Sequence, residues 1–378
     1  NYTGTYEQGG MDRHDNWIFK TASMDVVGEF DIEGVGHQLL LGANWLGQSY
    51  DRLQYDITTE DTTIGQETDL NRTDDISKDT YSESDSYGVY IQDMITINER
   101  WQVLAGLRYD LKITRGQDGE SDEHMDAVVP KLAVIYHPAE NASIYATYTE
   151  SFEPQADVAS EFAINDGAEL DPVTGKLLEL GTKWELFDNQ LLVSGAIFEI
   201  TEENSIINVD IDSTMHEVTQ AGERVHRGAE IALQGNITNE FSLSASATYL
   251  DAKYTVDDNY QGNRPADVPE YAASVWSRYQ VTHATDINLG AIYVGERYGD
   301  AANTFKKDAY TRLDLGVSHH LQYDQDLEMV FRFNIENVLD TDYYAGGGST
   351  SDDYDSNGAQ NVVVGEERNF MATVQIRY

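Results

Sequence analysis

Hydrophobic and polar residues alternate one for one along most of this chain. In "FSLSASATY", Phe241, Leu243, Ala245, Ala247 and Tyr249 point one way, and Ser242, Ser244, Ser246 and Thr248 the other. "LEMVFRFNI" splits into Leu327, Met329, Phe331, Phe333 and Ile335 against Glu328, Val330, Arg332 and Asn334. "WQVLAGLRYDLKI" sets Trp101, Val103, Ala105, Leu107 and Tyr109 against Gln102, Leu104, Gly106, Arg108 and Asp110. The closing "FMATVQIRY" keeps the rhythm, with Phe370, Ala372, Val374, Ile376 and Tyr378 on one side. Period two marks a strand whose two faces meet different surroundings. About fifteen such runs predict an all-β fold of about fifteen strands.

The connections alternate too. Short polar turns fall at 31–36, 98–100, 138–141, 188–190, 238–240, 283–285 and 323–326. Between them lie longer, often acidic segments, such as 58–86 and 341–360. Short turns at one end and long loops at the other are the habit of a transmembrane antiparallel β-barrel of the outer membrane. Trp101 to Tyr109 and Phe241 to Tyr249 each span ~26 Å of strand at ~3.3 Å per residue. Tilted by ~40°, that is ~20 Å of height, near the apolar band that aromatic girdles flank. Trp101, Tyr109, Phe241, Tyr249, Phe331 and Phe333 are therefore expected to form a lipid-facing girdle. The competing reading makes them core aromatics of a soluble all-β protein.

Seven hairpins and a final lone strand also set a parity. A first strand near 17–30 would descend from the outer side, whereas the last ends at the periplasm. Even-stranded barrels have both ends on one side. The expectation is that residues 1–378 are the C-terminal part of a larger barrel, with earlier strands missing.

Composition narrows the partners. The formal charge is −43, from 67 acidic against 24 basic residues, so a nucleic-acid backbone would be repelled. There is no cysteine, hence no disulfide and no thiolate chemistry. Hydrophobic residues make up 40%, too many for a chain disordered by its charge. No run approaches the ~18 apolar residues of a spanning helix, which excludes helical membrane proteins but not a barrel. Position 1 is Asn and no signal peptide is visible, so the numbering is expected to start inside a processed or trimmed chain.

Specific residues then resemble a family. "YGVYIQDMITINERWQVLAGLRYD" (87–110) resembles the Tyr-x-Gln-Asp strand, turn and Gly-x-Arg-Tyr-Asp of TonB-dependent siderophore receptors. "YATYTESFEPQ" (145–155) looks like the family's Ser-Phe-x-Pro-Gln segment, and "LDPVTGKLLELGTKWELFDNQL" (170–191) is similar to its Leu-x-Pro and Glu-x-Gly-x-Lys. "RVHRGAEIALQGNIT" (224–238) resembles its Arg-Gly-x-Glu strand, and "ADVPEYAASVW" (266–276) its Val-Pro segment. In "FNIENVLDTDYY" (333–344), Asn334, Asn337, Asp340 and Tyr343 resemble the Asn-x-x-Asn element before the last strand. The resemblance implies a barrel of about 22 strands around an N-terminal plug. The plug, the energy-coupling box and about seven strands would lie outside this chain. It implies import of a ferric siderophore, with no cofactor of the protein's own, energised by the TonB complex through the missing N-terminal part. Phe370 and Tyr378 would then belong to the signal read by the barrel insertion machinery. Asn334, Asn337, Asp340 and Tyr343 would be structural. The implied setting is the outer membrane of a Gram-negative bacterium, among lipid and lipopolysaccharide, as a monomer.

The nine histidines are scattered, without HExxH, GxSxG or a phosphate loop, so no catalytic residues are assigned and no enzyme is expected. "DDYDSNG" (352–358) begins like a calcium loop, but its twelfth position is Val364, where a bidentate Glu is required. It reads as a solvated acidic loop, and no metal site is assigned. Outer-loop aromatics are the ligand-binding candidates: Phe152, Tyr260, Tyr298, Phe305 and Tyr354. Rigid rings offer a bulky chelate large contact area at small entropic cost. Lumen-facing polar residues would include Arg108, Asp110, Lys112, Lys183, Glu185, Glu230, Gln234, Arg332, Asn334, Gln375 and Arg377. Loop acidity could steer cationic complexes or serve solubility in salt. Cobalamin, haem or oligosaccharide import, an unplugged diffusion porin, and a soluble β-rich binding or adhesion protein stay open as alternatives.

Overall fold

The structure is a computed structural model describing residues 5–8, 12–57, 60–63, 71–115, 122–155, 157–158, 162–211, 215–324, 327–347 and 362–378. No helix occurs among the described residues. Fifteen strands form one sheet in chain order, antiparallel in every pair whose register is described. They are β1 Asp12–Ile32, β2 Val35–Ile57, β3 Arg72–Asn98, β4 Trp101–Thr114, β5 Glu123–Ala139, β6 Ala142–Glu153, β7 Val173–Leu186 and β8 Leu191–Asp210. The rest are β9 His216–Asn236, β10 Phe241–Val256, β11 Tyr271–Thr282, β12 Thr285–Val294, β13 Tyr310–Asp324, β14 Leu327–Glu336 and β15 Asn369–Arg377. Three two-residue to four-residue ribbons lie outside this sheet.

Contacts divide the chain into two compact units. The first comprises Asn1–Glu29, Gln38–Asp93 and Gly106–Val129. The second comprises Phe30–His37, Met94–Ala105 and Pro130–Tyr378.

The short turns fall where their residues demand them. Glu33 and Gly34 both have positive φ (53° and 87°), the primed turn whose twist matches flanking strands. The Asn98 Oδ1 accepts from the backbone N–H of Arg100 and Trp101, closing the next hairpin locally. Gly235 (φ 143°) packs its α-carbon against the 190–191 backbone, and a Cβ there would sit 2.0 Å from the Gln190 carbonyl.

Register carries the alternation across strands. Phe331 pairs with Val374, Phe333 with Ala372 and Ile335 with Phe370, while Arg332 pairs with Thr373 and Asn334 with Met371. Tyr249 pairs with Tyr271 and Phe241 with Tyr279, whereas Ser246 pairs with Ser274. One face is thus predominantly apolar and the other predominantly polar. The apolar face is not buried: Phe331 is 40% exposed and Val374 58%. Trp17, Phe19, Leu107, Ile197, Ile231, Leu289 and Ile376 are exposed with them. Among the described residues thirteen apolar side chains are buried, six of them alanine, such as Ala133, Ala142, Ala196 and Ala252. This inverts the pattern of a water-soluble sandwich, whose two inner faces would share a dry layer.

Two expectations shift in extent. The first strand is longer than 17–30, and the segment 58–86, expected as a loop, already re-enters the sheet at Arg72. The strands continue past the apolar band because hydroxyl and charged side chains replace apolar ones without breaking the ladder. Thr73 Oγ1 donates to the Asp56 carbonyl and Ser77 Oγ to the Gln54 carbonyl. Beyond the band, Trp45 Nε1 (2.9 Å) and Arg115 Nη2 (2.6 Å) both donate to Asp85, and Arg115 also pairs with Asp122.

Two outcomes follow from this register. In the full-length protein, Val374→Arg is expected to cost about 2–4 kcal/mol in refolding into lipid, and Gln375→Arg less, its cost coming from the lost bond to Arg332 and the repulsion between the two guanidinium groups. Denaturant titration of the two variants compares the faces directly. Secondly, hydrogen bonds from Trp45 and Arg115 hold the Asp85 carboxyl below its ordinary 3.8. A depressed pKa contributes stability that is complete above the ordinary value and is lost as pH falls through the folded one. The Trp45 indole N–H resonance should accordingly titrate with a midpoint below 3.8. A midpoint at or above 3.8 would show that these bonds do not form.

Candidate functional site

Several sequence motifs converge on single rings of the polar face. In the first unit, Tyr90 of the Tyr-x-Gln-Asp strand donates its hydroxyl to Asp25. Arg108 of Gly-x-Arg-Tyr-Asp lies over the Tyr90 ring at 5.2 Å, bonds Asp110 Oδ2 at 2.5 Å and donates to Asn44 Oδ1 at 2.9 Å. The ring occupies the space a Cβ on Gly42 would need, and the Arg108 guanidinium that of Gly88.

The second unit repeats the device. Glu179, Gly181 and Lys183 of Glu-x-Gly-x-Lys all address Tyr145. Glu179 is hydrogen-bonded to its hydroxyl, Lys183 Nζ stands 5.5 Å from its centroid, and a Gly181 Cβ would fall 2.4 Å from its ring. Gly228 of Arg-Gly-x-Glu lies against Phe198 and the Tyr249 carbonyl, each 2.6 Å from its would-be Cβ. Trp276 lies on Gly290 likewise. The polar face is therefore flat, with aromatic rings laid over glycines and charges beside them. Such a surface suits a wet channel wall or a polar partner.

Above the second unit's strands, three loops knit together. Asn303 (φ 58°) donates to the Arg264 carbonyl and accepts from its N–H, and Asn263 Nδ2 reaches the Ala301 carbonyl. Asp267 takes both Arg297 Nε and Lys307 Nζ at 2.5 Å. Below this knot Tyr343 stacks on Tyr310 at 4.4 Å and covers Gly365. Asn337, 1% exposed, bridges the Thr341 and Glu366 carbonyls, accepts from Thr341 N–H, and takes Asp314 on its own backbone N–H. Asp340 accepts from the Arg368 N–H and pairs with its guanidinium. Asn334 sits across from Gly316.

The ligand-binding candidates separate. Tyr298 lies in a short ribbon of the knot and Phe305 directly precedes its second strand, with the Gly299 N–H donating to the Phe305 carbonyl. Phe305 is pressed onto Gly299, and Lys306 covers Tyr298 at 5.0 Å. Tyr260 leans on Tyr254 at 6.1 Å, and its carbonyl accepts from the Asn263 N–H. Phe152 is instead inside β6, on the side of Ile144, Ala146 and Tyr148, opposite Thr174. Tyr354 and the segment 352–358 lie outside the described residues. Of the girdle set, Trp101 meets Tyr136 and Tyr249 meets Tyr271 in tilted ring pairs, Phe333 stacks on Phe370, Tyr109 and Phe331 are exposed and Phe241 is half-buried; Tyr378, of the assembly set, is fully exposed. Sequence reasoning missed the charges at the centre of the knot, Arg264, Asp267, Arg297 and Lys307. No spacing signals them, because three separate loops supply the contacts.

A two-faced antiparallel sheet with short turns, an exposed apolar side and a ring-paved polar side defines the wall of an outer-membrane-type barrel. Residues 1–338 match the family model "TonB dependent receptor-like, beta-barrel", and the chain belongs to that family. It is 28% identical over 371 residues to the probable TonB-dependent siderophore receptor PiuA of Acinetobacter baumannii, covering 86% of this chain and 49% of that protein. It is 28% identical over 353 residues to the metal-pseudopaline receptor CntO of Pseudomonas aeruginosa (87% and 48%). The crystal structure of BauA, the ferric preacinetobactin receptor of A. baumannii, superposes with TM-score 0.81 at 22% identity, covering 99% of this chain and 56% of that one. The chain spans about half the length of these relatives. The relatives are transport receptors, not enzymes. Family members are outer-membrane β-barrels.

The Gly181–Tyr145 pair gives a test. Gly181→Val should destabilise by about 1–3 kcal/mol through overpacking. Adding Tyr145→Ala should recover part of that loss, a coupling that a double-mutant cycle in the refolding assay measures.

Proposed function

We propose that this chain is the C-terminal barrel portion of a TonB-dependent receptor that imports a ferric siderophore across the outer membrane of a Gram-negative bacterium. The family match over residues 1–338 carries the reading. Relatives named as siderophore receptors support the cargo class. The exposed apolar face would meet lipid and lipopolysaccharide, with the girdle aromatics at its borders. The polar face, with Arg108, Lys112, Lys183, Glu185, Glu230, Gln234, Arg332, Gln375 and Arg377, would line the lumen around a plug supplied by the N-terminal part. Outer loops capture the chelate, Tyr260 and Tyr298 offering ring surface and the knot fixing their backbone. The TonB complex then moves the plug, so the work comes from the protonmotive force and not from chemistry in these residues. Asn337, Asp340 and Tyr343 would hold the turn into β15, whose Phe370 and Tyr378 the insertion machinery reads. The receptor acts as a monomer, without a cofactor of its own.

The metal-pseudopaline relative favours one second reading, in which the chelated metal is not iron. A strain lacking its own receptors, supplied with the full-length gene, distinguishes these. Growth on iron-limited medium with ferric siderophores, dependent on TonB, is expected. Uptake of another metal's chelate in place of iron supports the second reading. Solute flux without TonB would overturn both and indicate a diffusion pore.

A further inference from the structure

Arg297 and Lys307 lie at the centre of the outer-loop knot, 3% and 0% exposed. Both bind the same oxygen, Asp267 Oδ1. Among the described residues Asp267 is the one carboxylate within ion-pair distance of either cation. Their other contacts are neutral. Arg297 Nη2 donates to the Tyr344 carbonyl at 2.6 Å, Lys307 Nζ donates to the Gly347 carbonyl, and the Tyr310 ring lies 5.8 Å from the guanidinium. Arg297 Nη1 is buried with no acceptor.

Among the described residues, two buried positive charges thus meet one negative charge, whose carboxylate is about a third exposed. Carbonyl dipoles and a ring face soften the excess but do not cancel it, and a buried unpaired charge is strongly unfavourable. A water molecule would satisfy the Nη1 hydrogen but not the charge. We propose that the knot binds one small monovalent anion, of halide or carboxylate size, at Arg297 Nη1. The charge count selects the class: one negative charge restores neutrality, whereas a divalent oxyanion overshoots. The chain as a whole, at −43, repels anions, so an anion retained here is held by these buried contacts and not by surface attraction. The anion would then help lock three loops together, since Asp267, Arg297 with Lys307, and Tyr344 with Gly347 belong to different ones. This inference stands apart from the import reading; a receptor that failed to import iron could still bind the anion.

The test uses the full-length protein crystallised from sodium bromide. One anomalous bromide peak is expected within hydrogen-bonding reach of Arg297 Nη1. Lys307→Met should abolish it, because Asp267 then balances Arg297 alone, and Asp267→Asn should raise its occupancy. Chloride binding, read by ³⁵Cl line broadening at constant ionic strength, should weaken at least tenfold in Lys307→Met. Persistence of the Tyr310–Tyr343 stack in the same maps reports that the loops remain folded. A folded wild-type knot holding only water would overturn the proposal. So would a bromide indifferent to both substitutions, which marks an adventitious ion only.

Discussion

The structure depends on one constraint: every backbone N–H and C=O of a strand in hydrocarbon must be bonded to a neighbouring strand. In lipid each unsatisfied group costs several kcal/mol, so the ladder cannot lapse anywhere within the apolar band. Side chains are free only in their alternation, one outward and one inward. That freedom is what the sequence uses. Phe331 opposite Val374 and Arg332 opposite Thr373 are consecutive residues in opposite surroundings. A slip of one residue would send Arg332 to the apolar side and Phe331 to the polar one, so the pattern itself fixes register.

The polar side meets a different demand. It is flat wherever a ring lies over a glycine. Glycines at 42, 181, 228 and 290 remove side chains where a neighbouring ring lies down, and the rings keep the sheet from thinning there. Glu179 and Lys183 beside Tyr145, and Arg108 beside Tyr90, belong to the same arrangement. The family motifs thus have a mechanical meaning. They are ring, glycine and charge sets that span adjacent strands.

The fifteen strands, their faces and the short turns were legible in the sequence because each is a local property with period two. Strand ends were less legible. Beyond the apolar band polar residues continue the ladder, and Arg72–Ser84 reads as an acidic loop while it pairs as strand. The outer knot was not legible. Asp267, Arg297 and Tyr344 are remote in sequence, and only three folded loops bring them together. Phe152 shows the same limit, since its motif suggested a loop whereas the ladder carries it inside β6.

The central claim is that hydrocarbon touches the exposed apolar face. Residues 1–378 hold no cysteine, so single labels can be introduced here once any cysteine elsewhere in the full-length protein is replaced. Spin labels at positions 331, 374, 332 and 375 of the full-length protein in lipid bilayers would be relaxed by oxygen and by a water-soluble nickel chelate. The account predicts that 331 and 374 respond chiefly to oxygen, and 332 and 375 comparatively more to nickel. Labels at 331 and 374 that respond chiefly to nickel, or are shielded from both reagents in a dry interior, would contradict it.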